Sequence, residues 1–151
     1  MSHSFTNIWI HLIFSTKDKL PLIDESFEQL LHKHIKSKLI NEYESHVEEI
    51  NGTNNHVHIL FKQSPNFSIN DIVKNLKGES SHWVNSSNFI NNKFAWQTGY
   101  SSFSISINKV GIVKKYILNQ KEHHKTQSFK EEYIQFLKEN EVEYNDDYLW
   151  T

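Results

Sequence analysis

The sequence contains neither cysteine nor arginine. Without cysteine, no disulfide framework and no thiolate zinc site can form, and no oxidising compartment is implied. Without arginine, the chain has no guanidinium that could grip an anionic group at two points. No stretch approaches membrane-spanning length, and the N-terminus lacks the pattern of a signal peptide. We therefore expect a cytoplasmic location by default and no membrane partner.

The chain does have enough apolar material for one core. Its 151 residues are 37% hydrophobic and 13% aromatic, which predicts a single domain. The formal net charge of -2 lacks the basic excess that nucleic-acid-binding domains usually carry. Local positive patches remain compatible with this neutral whole, because lysines cluster in two segments: Lys33, Lys36 and Lys38, and Lys109, Lys114, Lys115 and Lys121.

The first half of the chain predicts three strands and two helices. Residues 7–14 alternate in polarity as a strand does, and Asp24 stands at the N-cap of a helix over roughly 25–40. Residues 43–61 predict two strands joined by a turn around Asn51-Gly52, the second running over 55–62. Ser68 and Asp71 then form a capping pair before a helix over about 69–86.

The second half adds a strand and two helices. After an Asn-rich loop over 85–93, Phe103, Ile105 and Ile107 alternate with serines as a fourth strand. One helix is predicted from about 108 to 123, and a capping box of Ser128 and Glu131 begins another.

The order of these elements is β-α-β-β-α-β followed by two helices. It predicts an α+β fold of the ferredoxin-like, split β-α-β type, with two helices on one face of an antiparallel sheet and the other face available. The single domain would span 1–151, with a core over about 5–125 and a C-terminal helix and tail over about 126–151. Because this fold hosts many functions, the function must be argued from the site.

The clearest chemical signal is a pair of histidines in a predicted strand. His56 and His58 are two residues apart, so both project from one face, whereas Val57 projects from the other. Two imidazoles on a rigid strand could clamp a metal ion. A polar pair on a half-exposed face is the simpler alternative for an isolated His-x-His motif, because two ligands rarely define a site.

A further set of candidate residues lies on the predicted helix over 108–123. Tyr116 and Gln120 are four residues apart and share a helical face, with His123 and His124 beside them. A tyrosine at the edge of an apolar stripe is usually a packing residue. Beside a metal, however, a phenol can attack a phosphodiester, because the cation neutralises the charge that develops.

Four segments together resemble a known family, the single-tyrosine HUH transposases of small bacterial insertion sequences and their relatives associated with repetitive extragenic palindromes. The resemblance extends in order over residues 5–137, and its segments are NGTNNHVHILF, NLKGESSHWV, WQTGYSSFSIS and YILNQKEHHKTQSFKEEY. It implies a metal-dependent transposase that cleaves and rejoins single-stranded DNA at insertion-sequence ends through a covalent 5′-phosphotyrosine.

The resemblance also implies a role for each matching residue. His56 and His58 would bind a divalent metal, Gln120 would complete the protein ligands, and Tyr116 would be the nucleophile. The family uses Mg2+ or Mn2+, although two imidazoles and an amide favour manganese on their own chemistry. No nucleotide cofactor is expected, because the phosphotyrosine conserves the energy for rejoining. His11 stands near the active-site face, as a structural histidine or as part of the site.

The implied partners are hairpin-ended single-stranded DNA and a second copy of the chain. In the implied homodimer the active sites are composite, and the His pair of one subunit faces the tyrosine helix of the other. Lys74, Lys77 and Lys115 are the tentative DNA-binding residues. The absence of arginine weakens the expected grip on DNA. Trp83 and Val84 are expected in the core, and the tail aromatics as docking contacts: Tyr144, Tyr148 and Trp150.

Two alternatives stay open at this point. A domesticated relative that processes palindrome hairpins for its host would share the same chemistry. A non-catalytic RNA- or DNA-binding module of ferredoxin-like fold is the remote alternative, and it would place stacking aromatics on adjacent central strands.

Overall fold

The computed structural model describes residues 3–151 and contains one four-stranded antiparallel sheet in the order β2-β3-β1-β4. The strands are β1 Ile8–Ser15, β2 His46–Thr53, β3 His56–Gln63 and β4 Ser101–Ile105. Two long helices, α1 Glu25–Tyr43 and α2 Ile69–Ser86, connect them in the β-α-β-β-α-β order. The predicted ferredoxin-like fold is confirmed.

The predicted helix caps are present. The Asp24 side chain accepts a hydrogen bond of 2.8 Å from the Ser26 backbone N–H at the start of α1. Ser68 accepts one of 3.1 Å from the Asp71 N–H at the start of α2. Each cap satisfies a backbone donor that has no partner inside its helix.

The main core lies between the sheet and the two long helices. Alternation along β1 and β3 sends one set of side chains towards α1 and α2. The buried residues on this side include Leu12, Phe14, Val57, Ile59, Phe61, Phe27, Leu31, Ile35, Ile72 and Leu76. Val84 is fully buried here and Trp83 packs against this core, as expected.

The opposite face of the sheet is covered, so the prediction of an available face is wrong. Three further helices lie after β4: α3 Val110–Leu118, α4 Gln120–His123 and α5 Phe129–Glu139. The apolar side of α5 packs on Ile13 and Phe103 of the sheet. Among the tail aromatics, Trp150 stacks on Tyr133 at 5.1 Å between ring centroids, whereas Tyr148 is largely exposed.

The hairpin between β2 and β3 turns at a different place from the one predicted. Asn54 and Asn55 form the turn, while Asn51 and Gly52 lie inside β2 and pair with β3. β4 also ends before Ile107, which instead begins a 3-10 turn, Ile107–Lys109. The alternation of serines with apolar residues therefore predicted a fourth strand that ends two residues later than β4 does in the structure.

Gly52 is required by close packing. It pairs with Val57, and a Cβ at Gly52 would lie 2.1 Å from the backbone oxygen of His56. Even a methyl group would therefore push β3 away at the histidine that begins the His-x-His motif.

We expect Gly52→Ala to lower the free energy of unfolding by roughly 1–3 kcal/mol, because β2 and β3 must separate to accept the methyl group. Urea denaturation would measure the change. Gly78→Ala is the matched control, because nothing lies within 4 Å of a Cβ at that helical position. Replacing that glycine should raise stability by about 0.5–1 kcal/mol. Equal effects of the two substitutions would contradict the packing argument.

In the described part of the chain, residues 3–151, no helix has both the length and the apolar composition needed to cross a bilayer.

Candidate active site

The His-x-His motif lies at the centre of the covered sheet face. His56 and His58 project from β3 on the side opposite the main core, and both are 0% exposed. The alternative of a polar pair on a half-exposed face is therefore wrong. Burial comes from the C-terminal helices: the Phe129 ring of α5 stacks on His56 with 3.9 Å between ring centroids.

The histidines meet side chains from α4, α5 and the segment between them. His56 Nε2 lies 2.9 Å from Gln120 Oε1, so the residue implied as third ligand lies beside the first. His58 Nε2 lies 2.9 Å from Glu132 Oε1, and His124 Nε2 lies 3.1 Å from the same oxygen. The site thus gathers a carboxylate and a third imidazole around the predicted residues.

Glu132 and His124 are site residues that the sequence reasoning did not assign. A signal for Glu132 exists, because it lies between Phe129 and Phe136 at helical spacing on the apolar side of α5. A carboxylate on an apolar helix face is rarely buried without a partner. For His124 the only signal is its closeness in sequence to Gln120.

The outer ring nitrogens of both motif histidines have their own partners. His58 Nδ1 lies 2.8 Å from His11 Nε2, on the neighbouring strand β1. His56 Nδ1 lies 2.8 Å from Asn55 Oδ1 and 3.0 Å from Thr53 Oγ1. Such contacts fix ring orientation, and each Nε2 is thereby directed towards Gln120 and Glu132. His11 belongs to this supporting layer.

Tyr116 reaches the same cluster from α3. Its hydroxyl donates a short hydrogen bond to Glu132 Oε2, and Gln120 Nε2 donates to that oxygen at 2.9 Å. The Tyr116 and His58 ring centroids are 6.1 Å apart. The structure therefore brings together all four residues of the implied catalytic set, with Glu132 as their shared neighbour.

The predicted continuous helix over 108–123 is broken at Asn119, whose φ of -94° and ψ of 17° are not helical. Asn51 of β2 helps to end α3 at this point, because its Nδ2 donates to the carbonyl oxygens of Ile117 at 3.0 Å and Leu118 at 3.2 Å. These bonds fasten the end of α3 to the sheet. Tyr116 and Gln120 still reach one carboxylate across the break.

Burial and charge set the protonation of the site. Burial lowers the pKa of His56 well below its usual value, and the neighbouring His58 lowers it further. Burial alone would raise the pKa of the Glu132 carboxyl, but hydrogen bonds from His124, His58 and Tyr116 outweigh it and hold that pKa far below the usual range. Burial and the adjacent Glu132 raise the pKa of Tyr116. Glu132 is thus a carboxylate and Tyr116 a phenol.

The donor set fits a divalent cation. Ligand atoms of His56, His58, His124 and Glu132 all lie within 4.8 Å of one another. Moreover, His56 faces an oxygen at each ring nitrogen, Asn55 Oδ1 at 2.8 Å and Gln120 Oε1 at 2.9 Å. A neutral imidazole carries one proton and can satisfy only one of these oxygens. A cation between Nε2 and Gln120 would remove that conflict.

The three predicted DNA-binding lysines differ in environment. Lys74 on α2 and Lys115 on α3 are exposed. Lys77 is buried, and its Nζ donates to the backbone oxygens of Thr98 at 2.9 Å and Gly99 at 2.6 Å. Burial lowers the pKa of Lys77 to about 8. Lys77 therefore ties α2 to the segment before β4, whereas the DNA contacts of all three lysines stay predictions.

The fold and site define a class of small proteins in which a helix-borne tyrosine meets a His-x-His cluster on a four-stranded sheet. The chain belongs to the family described as "Transposase IS200 like", whose model matches residues 4–120. No curated protein matches the chain. The match ends at Gln120, so His124 and Glu132 lie outside it.

Two solved structures are similar to the chain. One is a crystal structure of a candidate transposase from Deinococcus radiodurans R1, with 23% identity and a TM-score of 0.62, covering 80% of this chain and 95% of that one. The other is a REP-associated tyrosine transposase bound to a REP hairpin, with 14% identity and a TM-score of 0.59, covering 82% of this chain and 74% of that one. Both support the fold.

Within this chain, Tyr116 shares Glu132 with His58 and with Gln120. Asn51 and the break at Asn119 hold α3 against β2 of the same chain. The homodimer, and the composite active sites that the resemblance implies, stay predictions.

Proposed function

We propose that this transposase cleaves and rejoins single-stranded DNA through a covalent 5′-phosphotyrosine on Tyr116. The observation that carries the proposal is the shared carboxylate of Glu132, which joins the Tyr116 hydroxyl to the His56, His58 and Gln120 cluster. A nucleophile and a set of metal ligands within one hydrogen-bond network are the parts that metal-assisted phosphodiester transfer needs.

In the cleavage step, Tyr116 Oη attacks the phosphorus and the bond to the 3′ oxygen breaks. Water accepts the phenolic proton and donates one to the departing 3′ oxygen, which becomes a hydroxyl, while Glu132 holds the Tyr116 hydroxyl in position. The downstream strand stays on Tyr116 through its 5′ phosphate. Attack by another 3′ hydroxyl reverses these changes and restores the phenol. The number of phosphoester bonds is conserved, so rejoining needs no nucleotide cofactor.

His56, His58 and Gln120 would hold the divalent metal, with Glu132 and His124 in reach of it. When bound, such a metal would offset negative charge that develops at the phosphate. Mg2+ and Mn2+ are the proposed ions. Three imidazoles with a carboxylate suit manganese better than magnesium, which prefers an all-oxygen shell.

The proposed substrate is single-stranded DNA with hairpin ends. One similar structure holds a REP hairpin, and this supports two roles, transposition of a mobile element or hairpin processing that serves the host. Exposed Lys74 and Lys115 are the proposed backbone contacts, since phosphate contacts position DNA without reading its sequence. A non-catalytic binder with an open sheet face is disfavoured, because α3 and α5 cover that face.

The direct test is a denaturation-resistant protein–DNA adduct. Single-stranded oligonucleotides from the ends of the surrounding genomic element would be labelled at the 3′ end, incubated with Mn2+ or Mg2+, and resolved on a denaturing gel. We expect a labelled band at the mass of protein plus the downstream strand. Cleavage that leaves free 5′ phosphate and no adduct would contradict the tyrosine mechanism.

A homodimer remains our proposal because two strands must be held and exchanged, and each chain offers one nucleophile. We propose that each of its sites is built within one chain, as the Glu132 contacts suggest.

Mixing His56→Ala protein with Tyr116→Phe protein should therefore restore no adduct, because every site then carries one lesion. Differently tagged chains would be coexpressed and purified through both tags, and adduct would be measured on the heterodimer. A wild-type chain paired with either variant is the control and should retain one working site. Adduct on Tyr116 of the His56→Ala chain would show composite sites instead.

A further inference from the structure

We propose that the cavity beside Tyr116 binds the base of a nucleotide that flanks the cleaved phosphate. This inference rests on the function proposed above. This cavity has a volume of about 270 Å³ and lies between α3, α5 and β1. Its lining includes Tyr116 and Ile112 of α3, Phe136, Gln135 and Glu139 of α5, and His11 of β1.

The position of the cavity selects the nucleotide. Tyr116 forms part of its wall, and the phenolic oxygen must touch the phosphorus during attack. A base in this cavity therefore belongs to the nucleotide on one side of the cleaved bond. The volume of about 270 Å³ is below the roughly 300–1,000 Å³ of sites for drug-sized ligands, so it suits one ring system and not two stacked nucleotides.

Phe136 supplies an aromatic surface held in place by its neighbours. Its ring lies edge-on to Tyr116, with centroids 5.5 Å apart, and edge-on to His11 at 5.0 Å. Phe103 stacks on the same ring at 6.0 Å. The Phe136 side chain remains partly exposed at the cavity. Stacking of a base on an aromatic ring raises affinity by roughly fivefold to a hundredfold.

Two charged side chains near Tyr116 indicate where the base and where the phosphate of the bound nucleotide would lie. The carboxylate of Glu139 lines the cavity and would repel a phosphate there. A second cavity of about 620 Å³ shares Tyr116, Ile112 and His123 with the first, and it is lined by Lys115. The two cavities thus present opposite charges on the two sides of one shared wall, so the backbone fits beside Lys115 and the base beside Glu139.

The polar groups also favour one class of base. Glu139 Oε1 accepts a hydrogen bond of 2.9 Å from Gln135 Nε2, which orients the carboxylate and leaves it further acceptor capacity. A carboxylate accepts from the exocyclic amino group of cytosine, adenine or guanine, and thymine has none. His11 adds an independent sign of a ligand, because within residues 3–151 its buried Nδ1 has no hydrogen-bond partner.

The binding test uses Tyr116→Phe protein, which keeps the ring and lacks the nucleophile. Single strands carrying 2-aminopurine on either side of the cleaved bond would be titrated with this protein, and binding would be followed separately by anisotropy. We expect the emission at one flanking position to change at least twofold, and emission from a site ten nucleotides away to stay constant. Binding without an emission change at both flanking positions would overturn the proposal.

Phe136→Leu, added to Tyr116→Phe, should remove that emission change while keeping the apolar volume and the fold. Tyr148→Ala is the control, because it removes an exposed aromatic ring that does not line the cavity. Thermal melts would verify that both variants fold. An unchanged signal in folded Phe136→Leu would contradict the stacking.

Exposed Glu139 provides a second variant without risk to the fold. Wild-type protein should form adduct about tenfold faster with an amino-bearing base than with thymine at the stacked position, and Glu139→Ala should lose this preference. Equal rates for all bases and for an abasic site in the wild type would overturn the proposal. Absence of adduct with every strand would instead contradict the proposed function, and the emission experiment on uncleaved DNA would still decide the base site.

Discussion

Tyr116→Phe should abolish the covalent protein–DNA adduct and leave the fold intact. Only the phenolic oxygen is lost, and the ring keeps its contacts with His58 and Phe136. Removing the nucleophile of a covalent enzyme lowers the rate by about 10⁴-fold or more. The substitution removes the hydroxyl's hydrogen bond to Glu132, and we expect a change in unfolding free energy of about 1 kcal/mol.

The measurement is the yield of 3′-labelled adduct on a denaturing gel, with binding to the same strand followed by anisotropy. Tyr133→Phe is the matched control, because Tyr133 is a second tyrosine at the covered sheet face, and its hydroxyl accepts a hydrogen bond from Ser101 and makes none to Glu132. Its adduct yield should equal that of the wild type. Mass spectrometry that mapped the DNA-linked peptide to another tyrosine, such as Tyr100 or Tyr144, would refute the assignment.

The fold was predictable because its signals are local. A short run rich in β-branched and aromatic residues marks β1, and the caps at Asp24 and Ser68 mark the starts of α1 and α2. The position of the hairpin turn was not predictable, because the Asn51-Gly52 dipeptide is typical of a tight turn. Only the pairing of Gly52 with Val57 shows that the glycine instead serves close strand packing. Gly52 is there so that β2 and β3 can approach, which no local pattern reveals.

The candidate site was predictable in part, and for a different reason. His56, His58, Tyr116 and Gln120 were identified through resemblance, and the structure places them around one carboxylate. Glu132 was missed because it reaches the site from α5, and the position of α5 over the sheet depends on long-range packing. That packing also buries the histidines, so replacing them should lower the free energy of unfolding more than replacing an exposed pair would.

Replacing the motif histidines should abolish both metal binding and cleavage. Each Nε2 points into the cluster with Gln120 and Glu132, so a chain without either imidazole loses part of the proposed metal shell. We expect adduct formation to fall by about 10³-fold or more in His56→Ala and in His58→Ala, because both ligand geometry and the charge at the phosphate are lost.

The same variants separate metal binding from folding. Because both histidines are buried and hydrogen-bonded, their loss should lower the metal-free unfolding free energy by roughly 1–3 kcal/mol each. A metal that binds only the folded wild type adds about 2.7 kcal/mol at a concentration of 100 times its Kd. Thermal melts with and without Mn2+ should therefore show stabilisation in the wild type and almost none in the variants.

His46→Ala is the matched control, because His46 is an exposed histidine on β2 outside the cluster. It should keep the stabilisation by Mn2+, the adduct yield and the wild-type melting temperature.

The double variant His56→Ala/His58→Ala gives the sharpest result, since it leaves only Gln120, His124 and Glu132 to hold a cation. If the folded double variant still cleaved at the wild-type rate in ordinary metal concentrations, or still gained stability from Mn2+, the metal assignment would be wrong. Retained binding to hairpin DNA with lost cleavage would instead place the histidines in the chemical step, as the convergence of their Nε2 atoms on one carboxamide and one carboxylate indicates.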